Sequence, residues 1–474
     1  MNCWIFIFAV LAALASAAES EKKIVCYFGS WSVYRPAGGK FDISYILPQL
    51  CTHMIYTFVG ITPAGEIKIL DPWQDLTEDY GKGGFKRFND LRKLSPGTKT
   101  LIAIGGWNEG STTYSQVVGD PTIRSRFAQN IVDFTLKYGF DGFDIDWEYP
   151  NQRGGQSQDV QNYVSLLKEL RPLFDKHGLL LSAAVAAAKP SASLSYDIPA
   201  ISKYLDFINF MAYDLHGSWE TTTGINAPLY PREGESGDEL ELNVDACVRF
   251  WLESGCAKEK LILGVPFYGR SFTLADKNQN GLGAPTRGAG AAGPYTQEPG
   301  TLGYNEICEF LKQGDWTVVR YSEHSCPYAF KGDQWVGYDD VISLTEKTNY
   351  INSLNLGGAM LWSIETDDFF GHCGTKYPLL KALNIGLRGG VPPEPTEPPT
   401  KPTAQPTQPP TARPNGICKK SGYVRDPNDC SVFYDCVPSN GTLNPIRFTC
   451  PNGLAFNPSN NSCDYKSNVA GCDK

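Results

Sequence analysis

The segment Asp141-Gly142-Phe143-Asp144-Ile145-Asp146-Trp147-Glu148-Tyr149-Pro150 places three carboxylates, Asp144, Asp146 and Glu148, two residues apart. Phe143, Ile145 and Trp147 alternate with them. Successive side chains of a β-strand point to opposite faces, so the spacing predicts the acids on one face and the bulky apolar groups on the other. A solvated strand face suits neither Trp147 nor its apolar neighbours. A hard-cation site wants further oxygen or imidazole ligands in register, and nothing nearby supplies a clear set, so no metal is expected. Crowded like charges raise the proton affinity of at least one acid. One carboxyl group can then hold a proton near neutral pH beside others that stay ionised. That is the equipment for cleaving a glycosidic bond.

On both sides of this segment, short strand-like runs recur at 24–31, 53–60, 100–107, 142–148, 179–187, 206–214, 261–269 and 358–365. Each is followed by a longer, more polar stretch. Eight runs rich in Val, Ile, Phe and Ala, separated by crossover-length segments, predict an α/β fold, a closed parallel (β/α)8 TIM barrel. Its active site belongs at the C-terminal strand ends. About ninety residues separate the last two runs, more than one crossover helix requires. A small α+β insertion at about 270–345 is expected there, standing as a wall beside a cleft.

The predicted strand ends carry aromatic residues. Trp31 closes the first run, Trp107 the third, and Trp362 lies in the eighth. Tyr213 and Asp214 end the sixth, near Trp219, while Tyr268 ends the seventh just before Arg270. Any one of these reads as core. Their recurrence beside Gly105 and Gly106 and the acidic ends points to a sugar groove, because pyranose rings lay flat C–H faces on aromatic rings. Met211 reads as packing at the cleft floor. No histidine pairs with a Ser or Cys nucleophile motif, no nucleotide-binding glycine loop appears, and no cofactor is expected.

The N-terminal apolar run is short and ends in small residues around Ala15-Ser16-Ala17, which predicts a signal peptide over 1–18 and a secreted, soluble protein. Fourteen cysteines agree with an oxidising compartment. Six of them, Cys418 to Cys472, crowd the C-terminus, and seven lie between Cys26 and Cys373. That odd number predicts one thiol free or paired outside the domain. A net charge of −9 argues against nucleic acid as a partner. Residues 389–415, rich in Pro and Thr, predict an extended linker between a barrel domain, 19–388, and a small disulfide-rich β domain, 416–474. No membrane association is expected, and a monomer is.

Phe140 to Pro150, Lys99 to Asn108 and Met211 to Trp219 together resemble the family 18 glycoside hydrolases, the chitinases of animals and especially arthropods. The likeness runs from about Ile24 to Leu387. It implies a secreted endo-acting enzyme that cuts chitin by a substrate-assisted retaining route. In that scheme Glu148 is the general acid, Asp146 orients the substrate acetamide, Asp144 tunes Asp146, and Tyr213 binds the acetamide oxygen. Groove residues implied by the resemblance are Trp31, Tyr34, Trp73, Gly105, Gly106, Trp107, Asn108, Tyr149, Met211, Ala212, Asp214, Trp219, Tyr268, Arg270 and Trp362. Disulfides Cys26–Cys51 and Cys308–Cys373 are implied too, which leaves Cys247, Cys256 and Cys326 open. A lectin on the same barrel, binding chitin oligomers without cutting them, is the alternative, and Glu148 is the position that discriminates.

The C-terminal segment resembles a peritrophin-A chitin-binding domain, with cysteine intervals of 11, 5, 13, 12 and 8 residues and the feature Phe433-Tyr434-Asp435-Cys436. The resemblance implies pairs Cys418–Cys436, Cys430–Cys472 and Cys450–Cys463. Asn440 and Asn460 stand in glycosylation sequons. Removing everything after Gly390 is expected to spare hydrolysis of soluble oligomers and to lower retention on chitin particles, because tethering raises local concentration without altering bond cleavage. Paired assays on full-length and truncated protein check this; equal retention by both forms contradicts it.

Overall fold

The computed structural model describes residues 21–393, 417–439, 442–450, 454–458 and 462–472. The expected signal peptide, most of the expected linker and both sequon asparagines, Asn440 and Asn460, lie outside the described residues. Two compact units result, Met1–Glu397 and Pro398–Lys474.

In the first unit eight parallel strands close into a barrel: Lys23–Gly29, His53–Ile61, Lys99–Gly105, Gly142–Asp146, Leu180–Ala186, Phe207–Met211, Leu261–Pro266 and Gly358–Trp362. The first strand pairs with both the second and the eighth, which closes the ring. A short antiparallel strand, Ile67–Ile69, flanks the second.

The helices form where local chemistry starts and stops them. Pro121–Tyr138 begins under an Asp120 side chain that accepts from the Thr122 and Ile123 amides, has Pro121 in its first turn, and ends at Gly139 in the left-handed conformation. Its buried residues Phe127, Ala128, Ile131, Val132, Phe134 and Thr135 follow the helical repeat and face the barrel.

Strand starts match the sequence expectation closely, whereas most strands end two to three residues early. The expected run 261–269 is in fact two strands, broken after Pro266, which has no N–H to extend a ladder. Tyr268–Leu274 instead opens the insertion. There it pairs with Thr286–Ala289, Thr301–Gly303 and Gln334–Gly337, and strands Pro327–Lys331 and Thr317–Arg320 complete a six-stranded antiparallel sheet. With the helix Tyr304–Lys312, this is the α+β element expected between the seventh and eighth barrel strands. Phe272, Tyr328 and Trp335 pack as its core.

Disulfides join Cys26 to Cys51 and Cys308 to Cys373. Where the odd cysteine count predicts one unpaired thiol, three are free and buried: Cys247, Cys256 and Cys326. The second unit holds a three-stranded antiparallel sheet, Gly422–Arg425, Val432–Ser439 and Thr442–Thr449, and a strand pair, Leu454–Asn457 with Ser462–Tyr465. Disulfides Cys418–Cys436 and Cys430–Cys472 clamp it. Cys450 is also disulfide-bonded, while the side chain of Cys463 lies outside the described residues. Among the described residues no helix is long and apolar enough to cross a membrane.

Where the insertion returns to the barrel, the Lys347 ammonium lies 2.7 Å from an Asp339 oxygen, both side chains essentially without solvent. Lys347→Met strands a buried carboxylate and is expected to cost about 3–5 kcal/mol. Thermal unfolding checks this. A large drop in midpoint is expected, with much of it recovered in Lys347→Met/Asp339→Leu, where no charge is left buried.

Candidate active site

The fourth strand supplies the acids, but not on one continuous strand face. Parallel pairing ends at Gly105↔Asp146, so Asp144 and Asp146 belong to the strand and Glu148 lies two residues past its end. The alternation still holds on the apolar side. Phe143, Ile145 and Trp147 are buried, and Trp147 stacks on Tyr114 at 5.2 Å beneath the helices. Its indole N–H donates to the Ser111 hydroxyl at 2.9 Å, which donates to the Tyr149 carbonyl at 2.8 Å. This relay anchors the chain on either side of Glu148.

Asp144 is fully buried inside the barrel. Tyr27 donates its hydroxyl to one carboxylate oxygen at 2.7 Å, and Ser182 and Asn209 donate to the other at 2.5 and 3.0 Å. Burial raises its proton affinity and these donors restrain the rise, leaving a pKa of about 6. Asp146 is also buried, but its Oδ1 has no hydrogen-bond partner. Burial, then the charges of Glu148 and Asp144, push its pKa well above the usual range. Glu148 is partly shielded. Desolvation lifts it to about 7, opposed by a hydrogen bond with Tyr149 and the charge of Arg153. All three acids hold protons more tightly than ordinary carboxylates, Asp144 least, and Asp146 has an oxygen directed at no protein donor.

Tyr213, at the end of the sixth strand, is buried, with its ring edge-on to Tyr268 at 6.1 Å. Desolvation, followed by neighbouring charges, drives its phenol pKa upward, so it remains a hydrogen-bond donor. Next to it Asp214 takes a left-handed backbone (φ 57°). It accepts from Tyr268 at 2.6 Å and from both Nε and Nη2 of Arg270, at 2.7 and 2.6 Å. The Arg270 guanidinium lies over the Trp219 ring at 5.4 Å. Barrel and insertion are thus clamped together by one bidentate ion pair.

Trp362 closes the floor, tilted on Tyr27 at 5.6 Å and stacked on Phe58 at 5.9 Å, with Trp31 at 6.2 Å. Trp31, Trp107 and Trp219 are well exposed, as are Tyr34 and Trp73. Tyr34 donates to Asp71 at 2.6 Å, and the Lys82 ammonium sits 4.2 Å over the Trp73 ring. Asn108 is exposed beside Trp107, Tyr149 is partly buried, and Met211 is half-buried against the core.

Three expected groove residues do not present a surface. Ala212 is fully buried in the core. A Cβ on Gly105 would lie 2.1 Å from the Asp146 carbonyl, and one on Gly106 would lie 2.6 Å from the Phe58 ring. These glycines permit the close approach that positions Asp146.

Residues missed by sequence reading include Tyr27, Phe58, Lys82, Arg153, Ser182 and Asn209. Ser182 and Asn209 had a usable signal, a polar residue inside an otherwise apolar strand. Lys82 and Arg153 had none, because loop paths bring them to their rings. The one grouping of potential metal ligands among the described residues, Cys308, Asp368 and Cys373, contains the two sulfurs of a disulfide and so is no metal centre.

A closed parallel barrel with buried acids at a strand end and an exposed aromatic rim has the form of a carbohydrate-cleaving hydrolase. The chain belongs to glycosyl hydrolases family 18, which it matches over residues 23–367. Residues 418–472 match the chitin-binding peritrophin-A domain. Probable chitinase 2 of Drosophila melanogaster is 45% identical over 399 residues, covering 77% of this chain and 80% of the relative. Endochitinase of Manduca sexta is 42% identical over 402 residues, covering 82% and 72%. The crystal structure of Ostrinia furnacalis group IV chitinase in complex with allosamidin superimposes with a TM-score of 0.76 at 48% identity, covering 78% of this chain and all of that one.

Proposed function

We propose that the chain is a secreted, monomeric, endo-acting chitinase that hydrolyses β-1,4 bonds between N-acetylglucosamine units by substrate-assisted retention. The observation that carries this reading is the pairing of Glu148, with a pKa of about 7, and Asp146, whose buried Oδ1 has no protein partner. Family membership and the relatives support the substrate. A binding-only lectin is disfavoured because the acid at position 148 is present together with Asp144, Asp146 and Tyr213.

Protonated Glu148 gives its proton to the glycosidic oxygen as that bond breaks. The substrate's own acetamide oxygen attacks the anomeric carbon from the opposite face, forming an oxazolinium ion. The free Asp146 oxygen accepts from the acetamide N–H and offsets its positive charge, while the Tyr213 phenol donates to the acetamide oxygen before attack. Asp144, held by Tyr27, Ser182 and Asn209, shares the electrostatic load of Asp146. Ionised Glu148 then takes a proton from water, which opens the ring at the anomeric carbon. Trp362 supports the distorted sugar, and the exposed rings hold its neighbours. The domain division rests on the same reading: a signal peptide over 1–18, the barrel over 19–388, a spacer over 389–415 and a chitin-retaining module over 416–474.

Glu148→Gln keeps shape but loses the transferable proton, so turnover is expected to fall by ~10²–10⁴-fold or more with oligomer binding largely intact. Retention of a tenth of wild-type turnover identifies another group as the acid. Two inversions make the first-formed product the β-anomer, detectable by NMR before mutarotation; initial α-anomer rules out double displacement. Because the acid must be protonated in the free enzyme, kcat/KM is expected to decline as pH rises past about 7, the value to which burial lifts Glu148. A profile flat to pH 9 contradicts that assignment.

A further inference from the structure

Arg153 lies five residues beyond Glu148, outside the carboxylate motif, in a loop where Asn151 and Arg153 both take positive φ (63° and 52°). These turns fold the loop back so that the Arg153 guanidinium carbon sits 3.5 Å from the centre of the Trp107 ring. Its Nη1 donates to two main-chain carbonyls, that of Trp107 at 2.7 Å and that of Glu148 at 3.0 Å. The Arg153 carbonyl in turn accepts from the Ser111 amide at 3.4 Å, and the Ser111 hydroxyl belongs to the relay that holds Tyr149. One side chain therefore ties the end of the third strand to the end of the fourth and covers one face of an exposed indole. The Trp107 side chain nonetheless stays well exposed.

We infer that Arg153 is a positioning residue that holds the catalytic acid's main chain against the Trp107 platform and, by its charge, slightly lowers the upper pH limit at which the acid works. The inference rests on the assignment of Glu148 as general acid. A planar guanidinium suits the position because it can lie flat on the indole while its Nη1 reaches both carbonyls, whereas an ammonium has no plane to stack. The same group supplies the positive charge that faces Glu148. Set against it are Asp146 and Asp144 on the acid's own strand and Asp214 from the end of the sixth, with the neutral phenols of Tyr149, Tyr196 and Tyr213 around them. Arg153 stabilises the ionised form of Glu148, in agreement with its direction of influence on that carboxyl. Arg153 is exposed, so solvent screens this effect and keeps it small.

The test compares the full-length wild type with Arg153→Gln, Arg153→Lys and Glu148→Gln, using pH profiles of kcat/KM and separate kcat and KM values on a soluble chitin oligomer. Arg153→Gln removes the charge, so the alkaline limb is expected to move up by about half a pH unit. Its KM is expected to rise about two- to fivefold as the indole loses its backing. Arg153→Lys keeps the charge and loses the plane stacked on Trp107, so KM rises while the limb stays at the wild-type position. A purely structural role lowers activity in both variants without moving the limb. The inference is overturned if the Arg153→Gln limb coincides with wild type, if Arg153→Lys moves the limb equally, or if KM is unchanged in both. Substantial activity in Glu148→Gln instead overturns the functional reading itself, and the two failures are thereby separated.

Discussion

Carboxylates enclosed in a barrel interior are the constraint on which the rest of the site depends. Ionised acids cannot be taken out of water without partners, and the chain meets that cost unequally. Asp144 receives three donors from the first, fifth and sixth strands. Asp146, one turn of the pleat nearer the rim, has an oxygen with none. The difference makes the lower acid a supported base layer and leaves the upper one with an oxygen free to accept a hydrogen bond. Glu148, past the strand end, shares their field yet reaches solvent, so it can exchange its proton.

Around that centre the groove is assembled from strand ends and the insertion. Trp362 needs Tyr27 and Phe58 behind it to hold its plane. Asp214, in a left-handed turn, is paired by Arg270 reaching from the insertion. That ion pair fixes the wall of the groove relative to the floor, and Trp219 packs against its cation. The rigid barrel thus sets positions, and the added sheet sets the width of the channel.

The two units hold themselves together by different means. The barrel is large enough for a continuous apolar core, which leaves Cys247 and Cys256 unpaired within it, while Cys326 is unpaired in the core of the insertion. Burial raises the Cys247 and Cys256 thiols to about 12 and about 11, which keeps them protonated and unreactive. The C-terminal unit has too few residues for such a core, and disulfides take over that work. Its buried cluster is small, centred on Ala455, Val469 and Cys472.

Sequence alone determined the repeating plan: eight apolar runs at crossover spacing, an acid-bearing fourth strand, aromatic strand ends and a long excursion before the last strand. Those features are periodic or local, and local backbone geometry turns them directly into strands and faces. Where a strand stops was beyond reach, since termination depends on when the neighbouring strand ceases to offer hydrogen bonds; Glu148 leaves the ladder because pairing ends at Gly105 and Asp146. Tertiary structure alone decided which acid is satisfied and which is not, because Tyr27, Ser182 and Asn209 come from three separate strands. It also decided that Gly105 and Gly106 serve backbone approach, and that Arg153 backs Trp107. Such contacts join residues distant in sequence through the closure of the barrel and the path of its loops, and no spacing along the chain records them.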